Sequence, residues 1–368
     1  MPAVNVLIKP ASSLCNMHCD YCFYHDEAEK REQYSYGLMS RDTALQVIQK
    51  TLRFADGACA FAFQGGEPTL CGPEFFRFFT ENVKKYNTKN VRVSYALQTN
   101  GYALNEEWAE LFAENHFLLG VSVDGTRVIH DKYRHYHTDP TYDHILEKTK
   151  LLDRYKVDYN ILTVVTRDTA EHAREIYRSY KENNWRYMQF IACLDPYGEE
   201  RGKYPWSLLP QDYGRFLTDL FDCWYHDLVL GDAPYIRQFD NYIGILLGVE
   251  PESCEQRGLC AVQNVIEADG SVYPCDFFAL DEYRLGNLNE DEYAQIYARR
   301  RRIQFIERSY MPNEKCRSCR YAYLCRGGCF RHREEPGRLN YFCEAYEYFF
   351  RHCEEKMRRA ADIIRRHH

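Results

Sequence analysis

Six runs of apolar, β-branched or aromatic residues recur along the first part of the chain. They are VNVLIKP (4–10), ACAFAFQGGEP (58–68), VRVSYALQTNG (91–101), FLLGVSVDG (117–125), VDYNILTVVT (157–166) and YMQFIACLDP (187–196). Between them, segments such as SRDTALQVIQKTLRFADG and NEEWAELFAENH repeat apolar residues at three and four and open on Ser or Asn, which predicts amphipathic helices with N-caps in place. Strand, helix, strand at intervals of about 25–35 residues predicts parallel βα units, since parallel neighbours need a crossover. Six such units are fewer than the eight of a closed barrel. The expected fold class is therefore α/β: a partial (β/α)6 TIM-like barrel. QGGEP, QTNG and SVDG stand at the carboxyl ends of predicted strands, the edge at which α/β sheets bind ligands. The pattern breaks near residue 230 and cysteines dominate beyond it. The expected organisation is a barrel domain over 1–232 and a small cysteine-rich domain with a short β-hairpin and helices over 233–368.

Composition narrows the function classes. The chain has 368 residues, a formal net charge of −7, 16 cysteines, 31 tyrosines and 21 phenylalanines. Mixed charges argue against a nucleic-acid partner, and the one basic stretch, ARRRRIQFIERS (298–309), is expected to be a solvated helix face because apolar residues accompany it. The opening residues show neither a basic n-region nor an apolar h-region, and no run approaches a membrane span. A cytoplasmic protein with no membrane association is expected, in a compartment that keeps thiols reduced.

Free thiols at close spacing point to metal. In SSLCNMHCDYCFYHD (12–26), Cys15, Cys19 and Cys22 follow the first predicted strand. A closed structural zinc site takes four ligands and usually two pairs. Three thiolates on a [4Fe–4S] cluster instead leave one iron open to a small molecule. The paired glycines of QGGEP let a backbone edge approach a ligand closely. The second half adds Cys254, Cys260 and Cys275, then Cys316, Cys319, Cys325, Cys329 and Cys343. Eight thiolates make two sets of four, as two zinc ribbons or as two iron–sulfur clusters, and spacing alone does not separate these.

C-x3-C-x2-C followed by an aromatic, with GGEP after the second strand, resembles the radical S-adenosylmethionine superfamily. That resemblance implies a cluster on Cys15, Cys19 and Cys22 that chelates S-adenosylmethionine and cleaves it to a 5′-deoxyadenosyl radical. The run C-x2-C-x5-C-x3-C after DGSVYPC resembles the SPASM extension, which implies two auxiliary [4Fe–4S] clusters, three in all. By that resemblance Cys254, Cys260, Cys275 and Cys329 hold one and Cys316, Cys319, Cys325 and Cys343 the other. Cys59, Cys71, Cys193, Cys223 and Cys353 remain as packing residues. A match through nearly the whole chain (LIKPASSLCNMHCDYCFYH, FAFQGGEPTL, LQTNG, NILTVVT, QFIACLDP, DGSVYPCDFFALDEYRLGNL) resembles the anaerobic sulfatase-maturating enzymes. Those enzymes oxidise a sulfatase cysteine or serine to Cα-formylglycine. The resemblance implies Asp276 as proton acceptor, Tyr21, Gly66, Ser122, Arg134 and Leu194 as S-adenosylmethionine contacts, and a sulfatase polypeptide as substrate. An external one-electron donor such as flavodoxin or ferredoxin is expected. Tyr24 and Gln64, on the same rim, are candidates for peptide contact. The alternative within the superfamily is a maturase that crosslinks a ribosomal peptide through thioether or carbon–carbon bonds.

Overall fold

A computed structural model describes residues 3–367. Five strands begin the architecture: β1 (Val4–Ile8), β2 (His18–Cys19), β3 (Ala58–Phe63), β4 (Arg92–Thr99) and β5 (Phe117–Ser122). They are followed by β6 (Arg134–Tyr136), β7 (Asp139–Pro140), β8 (Asp158–Val165), β9 (Tyr187–Ala192) and β10 (Tyr235–Ile236). The last are β11 (Asn264–Ile266), β12 (Ser271–Tyr273) and β13 (Gly286–Asn287). All six predicted strands form, as β1, β3, β4, β5, β8 and β9, and each stops where its polar or glycine-bearing tail turns out of the sheet. The two helices quoted above also form. Arg41–Phe54 starts at Ser40, whose Oγ accepts from Thr43 N at 3.1 Å, and Glu106–Glu114 starts at Asn105, whose Oδ1 accepts from Trp108 N at 3.1 Å.

The chain forms two compact units. The first takes the residues through Ser122, Tyr133–Tyr159 and Val262–Phe305. Its sheet runs β5-β4-β3-β1 in parallel, continues with β11 parallel to β1, and ends in the antiparallel β11-β12-β13 meander. Alternation along β3 puts Cys59, Phe61 and Phe63 on one face, where they meet Phe76, Phe79 and Phe117. The other face carries only Ala58, Ala60 and Ala62. Each fully buried phenylalanine stabilises the fold by roughly 1.5–3 kcal/mol, so the aromatic face anchors the sheet while the alanine face leaves room. A small antiparallel sheet joins β2 to β6 and β6 to β7.

The second unit takes Val123–Lys132, Asn160–Ala261 and the residues from Ile306 on. In it β8, β9 and β10 lie parallel. The helices Pro210–Leu230 and Cys343–His367 pack so closely that a Cβ on Gly214 would meet Ala345 Cα at 3.1 Å. Among the described residues no helix is long and apolar enough to cross a membrane.

Two expectations differ from what forms. A division at 232/233 does not follow the compact units, because β11 covers the free edge of β1, with Val6 opposite Asn264, and so brings Val262–Phe305 beside the first strands. The basic stretch is not one solvated face. It divides at Gln304 (φ 52°) between the helices Tyr293–Ile303 and Phe305–Ser309, and Arg300 is buried, donating to the Gln263 carbonyl and to Asn264 Oδ1.

Candidate active site

The three-cysteine loop leaves β1 and lies within the first unit. Cys19, on β2, stands opposite Arg134 on β6, and Cys22 begins the helix Phe23–Glu29. Cys15 lies within electrostatic reach of Cys22, Glu67 and Arg134. Burial pushes the Cys15 thiol up to about 11 and raises Cys22 as well, so ligation must displace a full proton from each at neutral pH. Arg134 donates to the Tyr21 hydroxyl at 3.0 Å. The structure thus brings Tyr21 and Arg134 together beside the cysteines.

The QGGEP turn closes over this loop. Gly66 has φ +52°, and a Cβ there would stand 2.1 Å from Leu14 O and 2.7 Å from Ser12 O, so only glycine admits the approach. Glu67 N donates back to Leu14 O at 2.8 Å. The buried Glu67 carboxylate accepts from Thr69 N (3.0 Å), Thr69 Oγ1 (2.7 Å), Thr99 Oγ1 (2.8 Å) and Asn100 N (2.8 Å), tying QGGEP to QTNG. Burial raises its pKa, and those donors only partly offset that. Asn100 in turn reaches Cys15 Sγ at 3.8 Å and Asn16 Oδ1 at 2.8 Å. Ser122, at the end of β5, accepts from Gln98 at 3.0 Å. Leu194 lies in the second unit, just past β9, and is buried.

Asp276 follows Cys275 and the β12 strand. Its Oδ1 lies 2.5 Å from Lys9 Nζ, and its Oδ2 accepts from Gln64 at 2.7 Å. Lys9 is fully buried. Its ammonium also lies 3.5 Å from the Tyr24 ring centroid, and its stem fills the space a Cβ on Gly65 would take. Tyr24 is buried too and its hydroxyl donates to Glu267, which Arg31 holds at 2.7 Å. Gln64 is therefore placed on the proposed proton acceptor itself, and Tyr24 on the carboxylate behind it. Lys9, Glu67, Arg31 and Glu267 escaped the sequence reading. The available signals were a lone lysine near the end of the apolar run VNVLIKP and the glutamate within QGGEP.

In the second unit the cysteines separate into two groups. Cys325 lies in electrostatic reach of Cys343, Cys316 and Cys319, and Cys343 of Cys316 and Cys319. Cys329, by contrast, answers to Cys254 and Cys260, although it follows Cys325 by four residues in sequence. Cys275 belongs to the first unit. All sixteen cysteines are free thiols. Among the described residues no three Cys, His, Asp or Glu side chains converge tightly enough to grip a single ion. Ligands of a cluster each bind a different iron and so stand farther apart.

The Radical SAM superfamily model matches residues 10–180 and the SPASM iron–sulfur cluster-binding domain model residues 260–320. Fold and site thus define a radical S-adenosylmethionine protein, a partial barrel followed by a cluster-binding extension. A cysteine-type anaerobic sulfatase-maturating enzyme of Clostridium novyi (strain NT) is 46% identical over 95% of this chain and 95% of its own. Another, of Clostridium perfringens (strain 13 / Type A), is 43% identical over 99% and 100%. The solved structure of native anSMEcpe with bound AdoMet and Cp18Cys peptide matches with a TM-score of 0.94 at 42% identity, over 99% of this chain and 100% of that one. The chain belongs to the anaerobic sulfatase-maturating enzymes.

Proposed function

We propose that this chain oxidises a cysteine of a sulfatase polypeptide to Cα-formylglycine. The observation that carries the reading is the Asp276 carboxylate, fixed by Lys9 and Gln64 directly after Cys275, in the same unit as the three-cysteine loop. Cysteine rather than serine is the substrate residue, in line with the cysteine-type relatives at 46% and 43% identity.

The residues fit the groups this chemistry uses. Three soft, free thiols stand together in place of four, and the Gly66 backbone lies bare where any Cβ would collide. Cys15, Cys19 and Cys22 would hold the first [4Fe–4S] cluster. Cys254, Cys260, Cys275 and Cys329 would hold one auxiliary cluster, and Cys316, Cys319, Cys325 and Cys343 the other. S-adenosylmethionine would meet Tyr21, Gly66, Ser122, Arg134 and Leu194. When bound, these groups would supply an agent that abstracts a hydrogen atom, formed with one electron from an external donor such as flavodoxin or ferredoxin, and an acceptor for the one electron the substrate gives up.

What remains for the protein is the proton. Taking –CH2–SH to –CH=S removes one hydrogen atom from carbon, one proton from sulfur and one electron; water then replaces sulfur, leaving –CHO and hydrogen sulfide. Asp276 accepts the sulfur proton. Its carboxylate has about four lone-pair sites; Gln64 donates to Oδ2, while Oδ1 is ion-paired with Lys9 but accepts no hydrogen bond, so the group is aimed without being saturated. Its side chain is 12% exposed, so it is largely withdrawn from bulk water and still open to a substrate.

The test is mass spectrometry of a short cysteine-containing sulfatase-motif peptide after anaerobic incubation with reduced enzyme and S-adenosylmethionine. The expected result is the mass change for –CH2SH becoming –CHO. A crosslinked peptide, or cofactor cleavage with no aldehyde, would overturn the reading.

A further inference from the structure

Arg333 is a buried cation without a carboxylate. It is 3% exposed, and among the described residues no Asp or Glu lies within ion-pair distance of it. Its neighbours differ: Arg331 and Arg201 both pair with Glu334. The Arg333 guanidinium donates to Met311 O at 3.2 Å and Ser309 O at 2.5 Å, and its Nε has no partner. Ser309 also accepts, through Oγ, from Cys260 N at 2.9 Å, so one residue braces both the arginine and a cysteine loop. Burying a charge is costly unless an opposite charge answers it. The groups that answer Arg333 are Cys329, Cys260, Cys316 and Cys325, and they come from both cysteine groups of this unit.

We propose that Arg333 is a positioning residue shared by the two auxiliary clusters: its cation offsets the negative charge of both thiolate sets and raises both reduction potentials together. The inference rests on the reading that these cysteines hold auxiliary clusters. Reduction adds negative charge to a cluster, so a fixed cation nearby favours the reduced form, and net charge is one of the levers that set such potentials. An acceptor tuned in this way takes the substrate's electron more readily. The shared position explains why one arginine carries no carboxylate while the two beside it do.

The experiment is an anaerobic redox titration of the holoenzyme followed by electron paramagnetic resonance. The auxiliary signals are those that persist when Cys15, Cys19 and Cys22 are all replaced by alanine. Arg333→Gln and Arg333→Met should keep the iron content and move both auxiliary signals to more negative potentials by at least tenfold in the reduction equilibrium, about 59 mV for one electron. Arg333→Lys, which retains the charge, should stay near the parent. Iron lost from the neutral variants but kept by Arg333→Lys also supports the proposal, since charge then governs retention. Full iron with unmoved potentials in the neutral variants, a shift in one signal only, or iron lost from Arg333→Lys as well, would each overturn it. A parent with no auxiliary iron at all would instead remove the reading beneath it.

Discussion

Gly66→Ala is the sharpest perturbation the site offers. The residue sits at φ +52°, where a side chain costs about 1–2 kcal/mol. The added Cβ would stand 2.1 Å from Leu14 O, 2.7 Å from Ser12 O and 2.9 Å from Leu14 C. These are backbone atoms of the cysteine loop, so no side chain can swing aside. The loop must retreat by about 1 Å, beyond the roughly 0.5 Å tolerance of a working site, and the Glu67 N to Leu14 O hydrogen bond at 2.8 Å goes with it, for about 1 kcal/mol more. The combined cost is roughly 2–3 kcal/mol, concentrated one residue from Cys15. Gly231→Ala is the control: φ is +77°, and nothing lies within 4 Å of the added carbon, so only the conformational cost applies. Iron content, S-adenosylmethionine binding and thermal unfolding would be measured on both. Gly66→Ala should lose the iron of the first cluster and cofactor binding, whereas Gly231→Ala should keep both and melt only a few degrees lower. Parent-like iron and binding in Gly66→Ala would refute the claim that this contact shapes the cofactor edge.

Three further outcomes are expected. Asp276→Asn keeps the shape but cannot accept a proton, so cofactor cleavage should continue in the presence of peptide while formylglycine falls about 10²–10⁴-fold; proportional loss of both, together with iron, would mark a structural role. Glu67→Ala strands four buried donors, two of them backbone N–H groups, and should cost about 3 kcal/mol or more. Its melting temperature and iron content should drop together, because Asn100 also touches Cys15. Burial first, then Arg201, Arg331 and Arg333, pushes the His332 imidazole down to about 3. The unfolded chain binds that proton near pH 6.5, so the contribution is present above that pH and lost as pH falls toward 3. Between pH 7 and 5 the parent should lose about 2 kcal/mol of unfolding free energy that His332→Gln does not lose; parallel denaturation curves for the two would count against it.

Much of the fold was legible because its signals are local. Apolar runs of strand length, helical periodicity with Ser40 and Asn105 as caps, and the turn-bearing tails of QGGEP and QTNG each act within a few residues, and all formed. The three-cysteine loop was legible for a similar reason, since the three thiols fall within eight residues of one another. Lys9 was not. Nothing in VNVLIKP says that its ammonium will meet Asp276, which is far away in sequence.

By itself, the sequence determined the chemistry available: soft thiols in excess of packing needs, a glycine pair at a strand end, and a carboxylate next to a cysteine. Tertiary structure alone decided which of these answer one another. Cys329 stands with Cys254 and Cys260 rather than with its sequence neighbour Cys325, β11 lies against β1 and so divides the chain away from residue 232, and Arg300 and Arg333 are drawn inside. The physical reason is that helix and strand signals are short-range. Strand pairing and the compensation of buried charge join groups by distance in space, and the chain path that sets those distances is written in no single segment.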